Sequence, residues 1–170
     1  MRGGARICAG FGLHNSYVQT VLDARRIFRY HEPNDEVMMM QFLCAPMEGV
    51  TGDLFRQAQR QTFPAADSYY TPFLSPTANR TFSPRELREL DPAHNAGIHV
   101  VPQLMGHCAE DFLWMAGRLA DMGYDEVNFN LGCPSNTVTA KKKGAGLLTE
   151  PELLRQFFDD VFAACPLPVS

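Results

Sequence analysis

Cys133 sits between Gly132 and Pro134 in the run "NFNLGCPSNTV", Asn128 to Val138. A buried strand would reject both neighbours, because glycine weakens pairing and proline cannot donate to a ladder. Cys133 is therefore expected just past a strand end, on a loop. An unperturbed thiol, with a pKa of about 8.5, holds its proton at neutral pH and can release it to a basic atom within hydrogen-bonding reach. Serine would be a far weaker acid. Gly132 admits close backbone approach and Pro134 stiffens the loop. Taken alone, Cys133 could equally be a small buried hydrophobe.

The other residues with chemical potential narrow the field. The five cysteines are scattered, with no C-x-x-C pair. Reduced thiols in a cytoplasmic setting fit that pattern best. His107-Cys108 has no second His/Cys pair nearby, so no metal site is expected. Lys141, Lys142 and Lys143 are either a solvated run or a contact for a phosphate backbone. The formal charge of −4 gives no overall attraction to polyanions, so such a partner would have to meet a local patch. No run approaches the roughly 18 apolar residues of a membrane span, and no membrane partner is expected.

Elements must hold these residues in place, and 170 residues with 45% hydrophobic content suit one domain. "QFLCAP", Gln41 to Pro46, reads as a strand stopped by proline. Thr51 can cap a helix through "GDLFRQAQRQ", with Leu54, Ala58 and Gln61 or Thr62 on one face. "DSYYTPF" is a second strand. In "SPRELREL", Ser83, Pro84 and Glu86 give a helix-start signal. "GIHVVPQLMG", Gly97 to Gly106, is a third strand. Phe112, Met115, Ala116, Leu119 and Met122 recur at helical spacing, closed by Gly123. "DEVNFNLG" is a fourth strand, "EPELLRQFFDDVFAA" a fourth helix, and "PLPVS" the opening of a fifth strand.

Such alternation points to right-handed βαβ units on a parallel sheet, either an open doubly wound sheet or a barrel. No G-x-G-x-x-G follows the first strand, which favours the barrel. In a barrel the site is built from loops after the carboxyl ends of the strands, where "APMEG", "QLMG" and "NLGCP" fall. The expected fold class is α/β, a TIM-type (β/α)8 barrel. A full one takes about 250 residues, so only about the first four βα units are expected in residues 40–170. Residues 1–39 read as a poorly ordered extension or an organelle presequence.

"APMEGVTGDLFR", "VPQLMG" and "VNFNLGCPSNTVTAKKKGAGLL" resemble the tRNA-dihydrouridine synthases, flavoenzymes that reduce selected uridines in transfer RNA. The resemblance covers Gln41 to Ser170 and is most specific at N-x-G-C-P followed by "GAGLL". It implies FMN as cofactor, NADPH as reductant and tRNA as partner, in a protein that is monomeric at full length. It implies that Cys133 protonates C5 of the uracil while hydride reaches C6. Pro46, Met47 and Glu48 then line the flavin ring, with backbone groups on its polar edge, and Gln103 contacts it. Asn130 bonds the uracil edge, and Lys141 and Lys143 approach the RNA backbone. Asn128 departs from the pattern, since the family commonly has an acid there. Tyr69, Tyr70, Phe73 and Arg80 could grip RNA, but packing accounts for them as well.

The family's lysine inside strand five, a later histidine, the phosphate loops and a helical domain are all expected beyond Ser170, so these residues alone are expected to bind FMN poorly and turn over little. Two other readings stay open. One is an FMN barrel of dihydroorotate-dehydrogenase type acting on a free pyrimidine. The other is a non-catalytic RNA-binding remnant.

Overall fold

A computed structural model describes residues 30–31, 37–38, 41–63, 66–77 and 79–170. The chain divides into two compact units, residues 1–41 and 42–170. In the first, β1 (Tyr30–His31) pairs antiparallel with β2 (Val37–Met38). The rest of the expected 1–39 extension lies outside the described residues.

The second unit is α/β with parallel pairing. β3 (Leu43–Cys44) pairs with β4 (Ser68–Tyr70), and β4 with β5 (Val100–Val101). β6 (Gln103–Leu104) pairs with β7 (Asn128–Phe129), and Val127 bridges in parallel to Val169. Neighbours thus follow chain order, as successive βα units do. Among the described residues the strands do not close into a barrel. The expected third strand is divided at Pro102, which has no N–H to give. β5 pairs with β4, β6 pairs with β7 and also bridges in parallel to Leu74 through Leu104, and the Pro102 carbonyl still accepts Asn128 N at 2.9 Å.

Helix α1 (Asp53–Thr62) corrects the expected face. Leu54 is 72% exposed and Ala58, Gln61 and Thr62 are exposed, whereas Asp53 and Arg56 are buried. The side of α1 turned inward carries a satisfied polar network instead of an apolar stripe. Thr51 is not the cap either. Gly52 holds that position without a side-chain bond, while Thr51 Oγ1 takes Met47 N at 2.7 Å.

Helix α2 (Pro84–Glu89) starts as expected, with Ser83 Oγ accepting Glu86 N at 3.2 Å and Glu86 Oε2 accepting Ser83 N at 2.7 Å. Helix α3 (Ala109–Asp121) buries Phe112, Met115, Ala116 and Leu119, and Gly123 follows it at φ +91. A four-residue helix α4 (Asn136–Thr139) and a 3-10 helix (Gly144–Thr149) flank the turn that carries Lys141, Lys142 and Lys143. Helix α5 (Pro151–Ala164) buries Phe157 and Val161.

The core gathers where α3 and α5 meet β7. Phe129 stacks on Phe157 at 4.6 Å between ring centroids, and Phe112 meets both rings edge-on at 5.4 and 5.5 Å. Such pairs add roughly 0.5–1.5 kcal/mol each beyond burial. Phe129 immediately precedes Asn130, so the aromatic cluster fixes the point at which β7 hands over to the Cys133 loop.

Candidate active site

Four strand-end segments meet in one cleft of about 400 Å³, lined by Pro46, Glu48, Pro72, Phe73, Gln103, Phe129, Asn130, Leu131, Gly132 and Cys133. Sequence reasoning expected Pro46, Glu48, Gln103, Asn130 and Cys133 here. Phe73, weighed as packing, supplies an aromatic face to the wall.

A chain of amides runs across the floor. Gln103 is 8% exposed; its Nε2 donates to Asn128 Oδ1 at 2.7 Å, and its Oε1 accepts from Asn130 Nδ2 at 2.7 Å. Asn130 Oδ1 accepts the backbone N–H of Gly132 at 3.2 Å and of Cys133 at 3.0 Å. At the far end Asn128 Nδ2 donates to Ser170 Oγ at 3.2 Å. Two backbone N–H groups can meet only an oxygen, so the loop sets which way Asn130 points, and Asn130 in turn sets Gln103 and Asn128. The direction of the whole relay is dictated by the Cys133 loop.

The loop is held from behind as well. Ala145 N donates to the Cys133 carbonyl at 3.1 Å. Gly144 has φ +53, and a Cβ there would stand 2.8 Å from that carbonyl oxygen and 3.1 Å from Cys133 Cβ. At Gly146 a Cβ would come within 2.6 Å of the Thr139 carbonyl oxygen. The glycines of "GAG" serve close packing against the Cys133 loop and α4.

Two expectations shift. Met47 is 61% exposed and does not line the cleft. Its N–H goes to Thr51 Oγ1, and its carbonyl accepts from Val50 N and Thr51 N, both at 3.0 Å. Those backbone groups close a turn and are not directed at a ring edge. Asn130 borders the cleft, but both atoms of its amide already serve the protein, leaving one Nδ2 hydrogen for a ligand.

Sequence reasoning missed what supports the Pro46–Glu48 segment. Arg56, fully buried, donates from Nη1 to the Thr51 carbonyl at 3.0 Å and to Glu89 Oε2 at 2.9 Å. Its Nη2 reaches Asn95 Oδ1 at 2.8 Å. An arginine at a helix position reads as surface unless its partners are known, and here they lie 33 and 39 residues away. Glu48 is tied outward to Arg85 at 2.8 Å.

The three lysines separate. Lys142 pairs with Glu150 at 2.8 Å, Lys141 is exposed, and Lys143 turns into a different cleft, beside Arg80 and His107. Tyr69, 1% exposed, belongs to the core and donates its hydroxyl to Gln59 Oε1.

The donor set of the Cys133 cleft fits a flat heteroaromatic ring. Pro46, Pro72 and Phe73 give apolar faces, and Gln103 keeps one Nε2 hydrogen and one Oε1 lone pair. No lysine or arginine lines it, so these residues do not hold a phosphate. Among the described residues no group of three or more His, Cys, Asp or Glu is placed to hold a metal ion, and no helix is long and apolar enough to cross a membrane.

Comparison with known proteins agrees with the strand-end motifs. The family described as dihydrouridine synthase (Dus) matches residues 43–170. A protein of Synechocystis sp. named probable tRNA-dihydrouridine synthase 1 is 33% identical over 130 residues, covering 75% of this chain and 35% of the relative. Probable tRNA-dihydrouridine synthases of Staphylococcus epidermidis and Staphylococcus aureus are 31% and 29% identical over 143 residues, each match covering 76% of this chain and 39% of the relative. The chain thus spans little more than a third of these relatives, and its matched part contains the whole Cys133 cleft. With that motif set carried on parallel strand ends, the chain belongs to the dihydrouridine synthase family.

Proposed function

We propose that residues 42–170 form the first βα units of a TIM-type barrel in a tRNA-dihydrouridine synthase, a cytoplasmic and monomeric oxidoreductase that reduces uridine in tRNA. The observation that carries this reading is the placement of Cys133 in one partly apolar cleft with Pro46, Gln103 and Asn130, its backbone N–H fixed by Asn130. The relatives' printed names support the substrate class.

On this reading Pro46, Glu48 and Gln103 border the ring of FMN. When bound, the flavin, reduced by NADPH, supplies the hydride that C6 of the uracil receives. Cys133 supplies the other hydrogen. Its thiol gives a proton to C5, so the C5–C6 double bond becomes a single bond and the cysteine leaves the step as thiolate, to be reprotonated from water. Asn130 keeps the sulfur at one height over the cleft by holding two successive N–H groups of its loop. Phe73 and Pro72 exclude water from one side, which strengthens the polar contacts that remain. Lys141 is exposed close by in sequence, where a phosphate of the RNA can reach it.

The test is conversion of uridine to dihydrouridine in unmodified tRNA, read by mass spectrometry, with the protein in its full encoded length supplied with FMN and NADPH. Replacing Cys133 by Ala is expected to slow conversion by about 10²–10⁴, the range for loss of a general acid. Unchanged conversion by that variant would sink the reading. Reduction of free uracil or orotate in preference to tRNA would replace it with a free-pyrimidine reductase.

A further inference from the structure

Helix α2 turns one face toward the segment that follows β3. Arg85, Arg88 and Glu89 fall at i, i+3 and i+4, so they share that face. Glu89 bonds Arg56 at 2.9 Å, Arg88 bonds Asp53 Oδ2 at 3.1 Å, and Arg85 Nη2 donates to Glu48 Oε1 at 2.8 Å. The row runs from buried to exposed. Arg56 and Glu89 are shut away from water, whereas the side chains of Arg85 and Glu48 are 62% and 45% exposed. Exposed pairs of that kind add little to stability. The inner pairs and the Ser83–Glu86 capping box already fix α2 against the Met47–Thr51 turn. The outer pair is thus held in register by a frame that it does not itself support.

That outer pair stands at the candidate active site. Of the residues lining the Cys133 cleft, Glu48 alone has a formally charged side chain. Arg85 does not line that cleft. It lines a smaller cavity of about 180 Å³, separated from the cleft by Glu48, Pro72 and Phe73, which border both spaces. Any influence of Arg85 on the cleft therefore passes through Glu48. A carboxylate in the wall disfavours negative charge on a bound ring, and a guanidinium bonded to that carboxylate offsets the effect.

We infer that Arg85 is a positioning residue that holds and neutralises Glu48, and so sets how strongly the cleft favours reduced over oxidised flavin. The inference rests on the flavin reading above. Reduction of a flavin at neutral pH leaves negative charge on its ring, and a charge held near the ring is one of the protein's means of tuning it. With Arg85 in place the wall is neutral and accepts the reduced ring. Without Arg85, the Glu48 carboxylate opposes it.

The experiment is titration of the full-length protein with FMN, oxidised and, under anaerobic conditions, reduced by dithionite, together with the reduction potential of the bound flavin read by equilibration with a redox dye. By linkage, the shift in potential reports the change in the ratio of the two affinities. Arg85→Gln should lower the potential and weaken reduced FMN several-fold more than oxidised FMN, with the urea unfolding midpoint close to the parent's. Arg85→Lys keeps the charge and should stay near the parent in both readings. Glu48→Gln should raise the potential, and the double variant Glu48→Gln with Arg85→Gln, again an uncharged pair, should return it most of the way. Equal weakening of both flavin states by Arg85→Gln would mean that the pair only shapes the cleft, and would overturn the inference. So would an unchanged potential, or the same fall in Arg118→Gln, which removes the same charge from an exposed side chain paired with Asp121. In each of those cases the flavin reading stands. A parent protein that binds FMN in neither state would remove that reading and the inference together.

Discussion

Asn130 Oδ1 receives the N–H of Cys133 at 3.0 Å, and with the Gly132 N–H at 3.2 Å it turns one side chain into the template of the loop that carries the thiol. Removing that side chain leaves two loop donors and the Gln103 carbonyl oxygen unmatched. Asn130→Ala is expected to cost about 1–3 kcal/mol in urea unfolding. Asn130→Asp should cost less. Its carboxylate keeps both loop bonds, and Gln103, Asn128 and the Ser170 hydroxyl can all reverse their roles to suit a second acceptor. Equal losses in the two variants would show that the relay does not hold the loop.

The Gly144 and Gly146 positions admit no side chain. Gly144→Ala meets a left-handed φ and the Cys133 carbonyl at 2.8 Å, and Gly146→Ala meets the Thr139 backbone at 2.6 Å. Each is expected to lower stability by about 1–3 kcal/mol. The variants should differ in locality. Gly144→Ala should change the rate at which a maleimide labels Cys133, whereas Gly146→Ala, which strikes α4, should change it less. Labelling is read by mass spectrometry after peptide digestion, with the other thiols as internal controls.

How much of this was legible in the sequence depends on where the partners lie. Cys133 stood out because Gly132 and Pro134 contradict a strand, a conflict visible within three residues. The Ser83–Glu86 capping box and the α3 stripe were legible for the same reason, since their partners are three or four residues apart. Arg56 was not. Its burial depends on Glu89 and Asn95, and in sequence it looks like a solvent-facing charge on an amphipathic helix. The same blindness put Leu54 on the wrong face. The turn at Met47 was not legible because a backbone N–H has no sequence signature, and the hydroxyl four residues on that takes it was read as a helix cap. The break between β5 and β6 was signalled by Pro102, but only the pairing shows that β7 joins beyond it while Leu104 still bridges to Leu74 on the β4 side.

Arg56 is the strongest case for a long-range support. Its side chain is fully buried and that of Glu89 is 11% exposed, so deleting the cation strands a carboxylate, Asn95 Oδ1 and the Thr51 carbonyl. Arg56→Ala is expected to cost about 3–5 kcal/mol, the range for breaking a buried pair. Glu89→Gln keeps an acceptor for Nη1 and should cost less. A denaturant series on the two single variants and the double variant measures the coupling, and additive losses would mean that the pair does not act as a unit.

Asp53 gives the fold a pH-dependent element. Burial raises its pKa, but Arg88, the Leu54 N–H and His94 together outweigh burial and hold the carboxyl below its usual range. A folded pKa below the unfolded value of about 3.9 means that stability is present above about pH 4 and is lost as pH falls through the folded pKa. Asp53→Asn should therefore lose stability at pH 7 and show a shallower decline on acidification. Parallel pH–stability curves for the two proteins would refute this assignment.

Asn128 stands where the family resemblance implies an acid, and the relay defines what either residue would have to do there. The position needs one acceptor for Gln103 Nε2 and one partner for the Ser170 hydroxyl. An amide meets the first with Oδ1 and the second with Nδ2. A carboxylate would meet the first with one oxygen and accept the serine proton with the other, and its charge would shorten and strengthen the Gln103 bond. Asn128→Asp is therefore expected to leave unfolding stability at pH 7 within about 1 kcal/mol of the parent or to raise it. Any added stability should vanish on acidification through the carboxylate range, since protonation restores a neutral group. A loss of several kcal/mol at pH 7 would show that the pocket around Asn128 excludes charge, and that the amide is required there.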